Sequence, residues 1–253
     1  MADLGANPTQ PTGQPAQARH QKTQLYSYEQ AFELGFASLT SRWPSDEFLE
    51  ALGAERRGNV IRLPALDRLL VIDRDLRQVS VEGSGRARLA WAILALHYLC
   101  AEDVSLDTYE VSLAHFPDCR GYLSVFNNRI IRRFLATSGR DDQVFSQRAE
   151  TIGGVRLHSP GSKTECEVPR GLGYRFDVFP RVPITIIRYA GDDELDPWAS
   201  VVYRADAQHL LPAEDRIVAA ELVLDALHGK PMEQEPDIDN RANGSRDPSL
   251  HLG

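Results

Sequence analysis

Four carboxylates crowd into five residues of the chain, at Asp192, Asp193, Glu194 and Asp196. Hard cations such as Ca²⁺ and Mg²⁺ collect several carboxylate oxygens, so Asp192, Asp193 and Glu194 are candidate metal ligands, although their spacing is not that of a calcium loop. Eleven residues before the first of them stands Arg181, inside FPRVP (179–183). A guanidinium recognises carboxylate or phosphate through paired N–H groups, which makes Arg181 the candidate anion clamp. A third group follows in DAQHLLPAED, where Asp206, His209, Glu214 and Asp215 could hold a small ligand or a transition metal, or move a proton. His97 interrupts an otherwise apolar helix and must find a partner for its ring nitrogens. A metal or tetrapyrrole could fill that role, with His115 as a second ligand, and so could an acid or a carbonyl.

Each candidate has a structural alternative. The acids suit a hydrated hairpin loop between strands. Glu214 and Asp215 fall where a helix dipole favours negative charge. Arg181 could pair with a neighbouring carboxylate, and His97 could be a satisfied core histidine. Two further patterns read as solvated helix faces: Glu221, Asp225 and His228, and Arg129, Arg132 and Arg133. No P-loop, dinucleotide fingerprint or GxSxG elbow occurs.

The elements that would position these residues are legible from periodicity. YSYEQAFELGFASLTSRW carries Tyr28, Phe32, Leu34, Phe36 and Leu39 near helical spacing. NVIRLPALDRLLVIDRDLRQVSV reads as two or three short strands. In RARLAWAILALHYLC every residue from Leu89 to Cys100 except His97 is apolar or aromatic, so a helix there is buried nearly all round. TYEVSLAHF alternates like a strand, CRGYLSVFNNRIIRRFLATSG is helical, and DDQVFSQRAETIGG is a helix stopped by its glycines. YRFDVFP, PITIIRY and PWASVVYR are strands, and the two prolines of FPRVP predict a stiff extended lead-in to Ile184–Tyr189. PAEDRIVAAELVLDALHG closes the fold as a helix with Pro212 in its first turn. Short connections between successive strands imply antiparallel pairing. The expected class is therefore α+β, a single domain with an antiparallel sheet, a buried central helix and a closing C-terminal helix.

That domain is placed at residues 25–230, between disordered tails at 1–24 and 231–253 that offer little to bury. The 253 residues carry a net charge of -8, which argues against a general nucleic-acid partner. Only three of the 28 Lys and Arg residues are lysines, at positions 22, 163 and 230. Cys100, Cys119 and Cys166 form no CxxC pair, so a thiolate zinc site or iron–sulfur cluster within the chain is not expected. No membrane-length apolar run and no secretory signal are visible, and a cytoplasmic protein follows as the expectation.

LHYL (96–99), FPRVPITI (179–186), GDDELDPWASVVYRADAQHLLPAED (191–215) and the closing helix together resemble one family, the bacterial and archaeal domain of unknown function 3786. The resemblance covers most of residues 26–228. Relatives usually place an aromatic and a small residue after the acidic turn, where this chain has Leu195, Asp196 and Pro197. Some resemble fusions with a four-cysteine iron–sulfur domain of the kind associated with corrinoid and carbon-monoxide metabolism. The family carries no established activity.

Three functions are open at this point. The first is a binding or accessory module for a small anionic ligand or a metal- or corrinoid-enzyme partner, presented by Arg181 and the loop around His209. The second is a hydrolase or lyase sharing Asp192, Glu194, His209, Glu214 and Asp215 in one cleft. The third is a structural interaction domain with its tails as tethers.

Overall fold

A computed structural model describes residues 27–104, 107–157 and 171–234; the expected tail at 1–24 lies outside the described residues, as does all of the C-terminal one beyond Gln234. Its class is α+β, with two antiparallel sheets in place of the one expected. The first is a meander of β1 (Glu55–Arg57), β2 (Val60–Ala65), β3 (Arg68–Asp73) and β4 (Gln78–Val81). Its strands alternate, so Ile61, Leu63, Leu70, Ile72, Val79 and Val81 share the buried face. The second runs in the order β5 (Glu110–Ser112), β9 (Trp198–Arg204), β8 (Val182–Tyr189), β7 (Leu172–Phe179) and β6 (Val155–Leu157).

Helices α1 (Tyr28–Ser41) and α2 (Asp46–Leu52) precede the first sheet. Ser27 opens α1 with a capping box that includes Gln30, and the Ser45 hydroxyl accepts from Phe48 N at the start of α2. On α1 the buried face is Gly35, Phe36 and Leu39, while Tyr28 and Leu34 point to solvent. Helix α3 (Leu89–Leu99) fulfils its sequence, with Trp91 to Leu96, Tyr98 and Leu99 all buried. Trp91 meets Phe179 edge-on at 6.5 Å and Tyr98 stacks on the same ring at 4.7 Å, which fastens α3 to the end of β7. One hydrophobic cluster runs through both sheets and α3. Among the described residues no helix is long and apolar enough to cross a membrane.

Three segments differ from expectation. TYEVSLAHF is a strand only over Glu110–Ser112; a 3-10 turn over Leu113–His115 follows and carries Leu113 into the core. The helix expected within 119–139 is a series: 3-10 at Pro117–Tyr122, α4 (Leu123–Phe126), a π-helical turn at Asn127–Arg132, and α5 (Arg133–Ala136). Phe126, Ile130 and Phe134 are buried along it. FPRVP is no extended lead-in: Pro180 and Arg181 are the two-residue turn of a hairpin whose second strand already starts at Val182. Pro183 is accommodated because the β7–β8 register shifts between Asp177 and Phe179, and an irregularity of this kind spares the missing ladder donor.

Helix α6 (Asp142–Thr151) is capped by Asp141, and α7 (Ala207–Leu210) leads to α8 (Ala213–Leu227), which packs on α3. Order continues past Lys230, where the sequence places the start of the tail. Ala87 bridges Glu233, Arg88 N donates to Met232 O, and Gln234 N donates to Arg86 O.

Candidate functional site

The β7–β8 turn builds the most heavily bonded of the predicted sites, and closes it. Gly53, in left-handed conformation at φ 74° after α2, lies so near the turn that a Cβ there would sit 2.5 Å from Pro180 Cβ. This contact lays the C-terminus of α2 beneath Arg181. A helix end exposes carbonyls without intrahelical donors and carries negative partial charge. Arg181 Nη1 donates to Ala51 O at 3.0 Å, and the Tyr98 hydroxyl donates to Leu52 O at 2.6 Å. Arg181 Nη2 donates to Val104 O at 3.1 Å and lies 3.3 Å from Asp206 Oδ2. Asp206 is fully buried, and Arg204 holds both of its oxygens, each at 2.7 Å. The same arginine donates to Arg181 O at 3.0 Å. Arg181 is thus the cap of α2 and one jaw of an Arg–Asp–Arg knot inside the fold. Its expected role as an outward anion clamp does not fit this geometry.

The other residues of DAQHLLPAED each have a separate partner. His209 Nδ1 faces Asp103 Oδ2 at 3.7 Å, and exposed Glu214 accepts from Tyr122 Oη at 3.4 Å. Asp215, in the first turn of α8, bonds His97 Nδ1 at 2.6 Å. The partner of His97 is therefore an acid, and His115 bonds Ser112 Oγ at 2.9 Å instead of joining it. That carboxylate raises the His97 pKa above its ordinary value of 6.5, against the opposing effect of burial. The folded state then binds the proton more tightly than the unfolded chain. The pair's contribution to stability is full below pH 6.5 and fades as pH rises through the elevated folded value. His228 acts in the opposite sense, because burial, Arg133 and Arg148 lower its pKa. Its contribution is present above pH 6.5 and fades as pH falls. We therefore expect that subtracting the unfolding profile of His97→Gln from that of the unaltered chain leaves a difference that shrinks from pH 6 to 9, measured by urea denaturation. A flat difference would show that the contact carries no proton linkage.

The acidic residues lie elsewhere. Strands β8 and β9 pair from Ile184–Tyr203 to Tyr189–Trp198, so Arg181 and Asp206 belong to one end of this hairpin and the 190–197 loop to the other. Eight residues of strand put the two ends roughly 25 Å apart. Asp192, Glu194 and His209 consequently do not share a cleft, and the acid–base set of the hydrolase or lyase reading is not assembled. Asp192 Oδ1 accepts from Glu194 N and Leu195 N at 2.9 Å each, closing its own turn. Asp192, Asp193, Glu194 and Asp196 are exposed and have no ion pair among the described residues. Among those residues no three His, Cys, Asp or Glu side chains gather as a metal ligand set.

The loop is flanked by a feature the sequence reading passed over. Tyr189 and Trp198, directly opposite in register, stack face to face with centroids 3.6 Å apart and planes 6° from parallel. Trp198 is 49% exposed and Leu195 64%. The signal was present, since an aromatic stands on either side of the loop in RYAGDDELDPW and a short hairpin makes such positions neighbours. Arg204 was overlooked too. It is two residues before Asp206, the spacing at which an extended chain returns to one face.

The two helix faces expected to be solvated meet in part, while Arg132 is exposed as expected and the Arg129 side chain is 54% exposed. Arg129 donates to both Glu221 oxygens at 2.8 and 2.6 Å, and Arg133 reaches Asp225 at 2.6 Å, so the arginine series and the acidic series face each other.

Two sheets of β strands clasped by α1, α3 and α8, with an ion-paired hairpin turn at one end and an acidic, aromatic one at the other, define a compact α+β module. The chain belongs to the family described as Domain of unknown function (DUF3786), whose model matches residues 45–226. Neither the curated proteins nor the solved structures gave a match.

Proposed function

We propose that this domain is a cytoplasmic binding module that docks on a partner protein through the 190–197 loop end of the β8–β9 hairpin. The observation that carries this reading is the stack of half-buried Tyr189 on exposed Trp198 with Leu195 beside it, fringed by four exposed acids without cationic partners among the described residues. Aromatic side chains offer large contact area at low entropic cost and dominate interface energetics. The surrounding carboxylates select against a second copy of the chain, whose own acids would oppose them, and favour a partner with basic side chains around an apolar spot. The family resemblance supplies the partner class to try first, a corrinoid iron–sulfur protein.

Purified corrinoid iron–sulfur protein passed over the immobilised full-length chain is expected to bind, and Trp198→Ser and Leu195→Ser to weaken that binding about tenfold each, as hot-spot truncation does. Equal binding by the unaltered and substituted chains, or none by either, would overturn the docking reading for this partner. Folding is a clean control, because losing one exposed cross-strand pair costs about 1 kcal/mol or less.

A further inference from the structure

A different part of the molecule gathers positive charge. Asp225 of α8 is mostly buried and receives three cations: Arg88 Nη1 at 3.2 Å, Arg133 Nη2 at 2.6 Å and Lys230 Nζ at 3.0 Å. Arg88 comes from the start of α3, Arg133 from α5 and Lys230 from the chain after α8. Next to them the His228 ring accepts from Arg133 Nη2 at Nδ1, 3.1 Å away, and faces the Thr137 hydroxyl through Nε2 at 2.5 Å. That hydroxyl donates to Arg133 O, so it accepts from the ring, and His228 is neutral. Arg148 of α6 adds a further positive charge beside it and donates to Ser138 Oγ.

The surplus is handled differently here from the knot at Asp206. There, the second arginine is also bonded to main-chain carbonyls. At Asp225 the bonds of Arg88, Arg133 and Lys230 end on the carboxylate or the neutral imidazole, and Arg88 Nε and Nη2 are buried with no acceptor among the described residues. A guanidinium presenting unused N–H groups beside an ammonium is the arrangement that captures carboxylate or phosphate oxygens. Asp225 fixes the cations in place, which removes much of the ordering cost of binding. The Lys230 side chain, 52% exposed against 26% for Arg88 and 28% for Arg133, is the cation of the three most open to solvent ions.

We infer that Arg88, Arg133 and Lys230, organised by Asp225 at the junction of α3, α5 and α8, form a binding site for a small oxoanion of the phosphate or carboxylate type. It shares no residue with the docking surface, which lies on the β8–β9 loop and has the opposite charge.

Inorganic phosphate is the probe, compared with chloride at equal ionic strength on the full chain. The His228 ring is the reporter, followed by its NMR titration. Arg133, Arg148 and Lys230 depress its protonation and Asp225 favours it. A bound dianion offsets the cations, so phosphate is expected to move the His228 midpoint upward and to give a saturable shift with a millimolar Kd. Lys230→Met is expected to weaken that Kd about tenfold, the equivalent of about 1.4 kcal/mol. Arg88→Met is expected to abolish saturation. Should Arg88→Met fail to fold, Lys230→Met, at an exposed position, still decides the matter. Trp198→Ser should leave phosphate binding intact. Identical His228 titrations in phosphate and chloride, or an unchanged Kd in Lys230→Met, would overturn the site.

Discussion

Replacing Asp206 by alanine is expected to be among the most damaging single changes in this protein, destabilising it by about 3–5 kcal/mol. The reason is the environment left behind. Asp206 is fully buried between Arg181 and Arg204, whose side chains are only 14% and 19% exposed. Without the carboxylate, two guanidinium groups face each other with little water to screen them. Arg204 loses both of its 2.7 Å contacts, and Arg181 loses its 3.3 Å contact while keeping its carbonyl bonds. For a folded region of this size the melting temperature should fall by about 10 °C. Asp206→Asn retains the shape and one acceptor oxygen and should lose less, about 1.5–3 kcal/mol, the worth of hydrogen bonds to charged groups. Thermal and urea unfolding of both variants measure this. A loss below 1 kcal/mol for the alanine variant would mean that the arginines relax into solvent and that the knot does not hold the hairpin turn on α2.

Trp91→Ala is the second large effect, about 3–5 kcal/mol, because truncation combines lost transfer energy with a cavity the surroundings cannot fill. Trp91 is 1% exposed in the first turn of α3, against Phe179 at the end of β7. Phe179 is also the residue before the Pro180–Arg181 turn. The cavity therefore opens beneath the same turn that the Asp206 knot holds from above. The two substitutions should be less than additive, since each loosens one attachment of a shared hairpin end. Chemical denaturation of the single and double variants tests the coupling. Simple additivity would separate core from knot.

How much of this was readable beforehand depended on the range of the signal. Local periodicity located α3, α8 and the β7–β9 strands, because an apolar helix or a β-branched run carries its own evidence. The His97 problem was also posed correctly by sequence: a polar ring in an apolar helix needs a partner, and Asp215 is that partner. The sequence could not say that the second arginine of the knot is Arg204, or that the carbonyls of α2 lie beneath Arg181. Those facts depend on how α2 and the hairpin meet, 130 residues apart in the chain. The misreading of FPRVP had a physical cause. Two prolines stiffen a segment in a turn as well as in a strand, and only the register shift between Asp177 and Phe179 shows which is realised. The wet-face reading of α8 and the 123–136 segment fits exposed Arg132 but missed the pairing of Arg129 and Arg133 with α8, for a related reason. Charged stripes on two helices look solvated one at a time and become a seam when opposite charges meet.

The β8–β9 hairpin has one more consequence. Dissolved ions reach its two ends unequally. Around the 190–197 loop, mobile counterions at physiological salt damp the carboxylates' field beyond about 8 Å, so any attraction the loop exerts is felt only at close approach and fades in brine. At Asp206, which is fully buried, screening is much weaker, and the charges there keep most of their strength as salt changes. One ribbon of chain thus carries a contact tuned by its surroundings and a fastening much less sensitive to them.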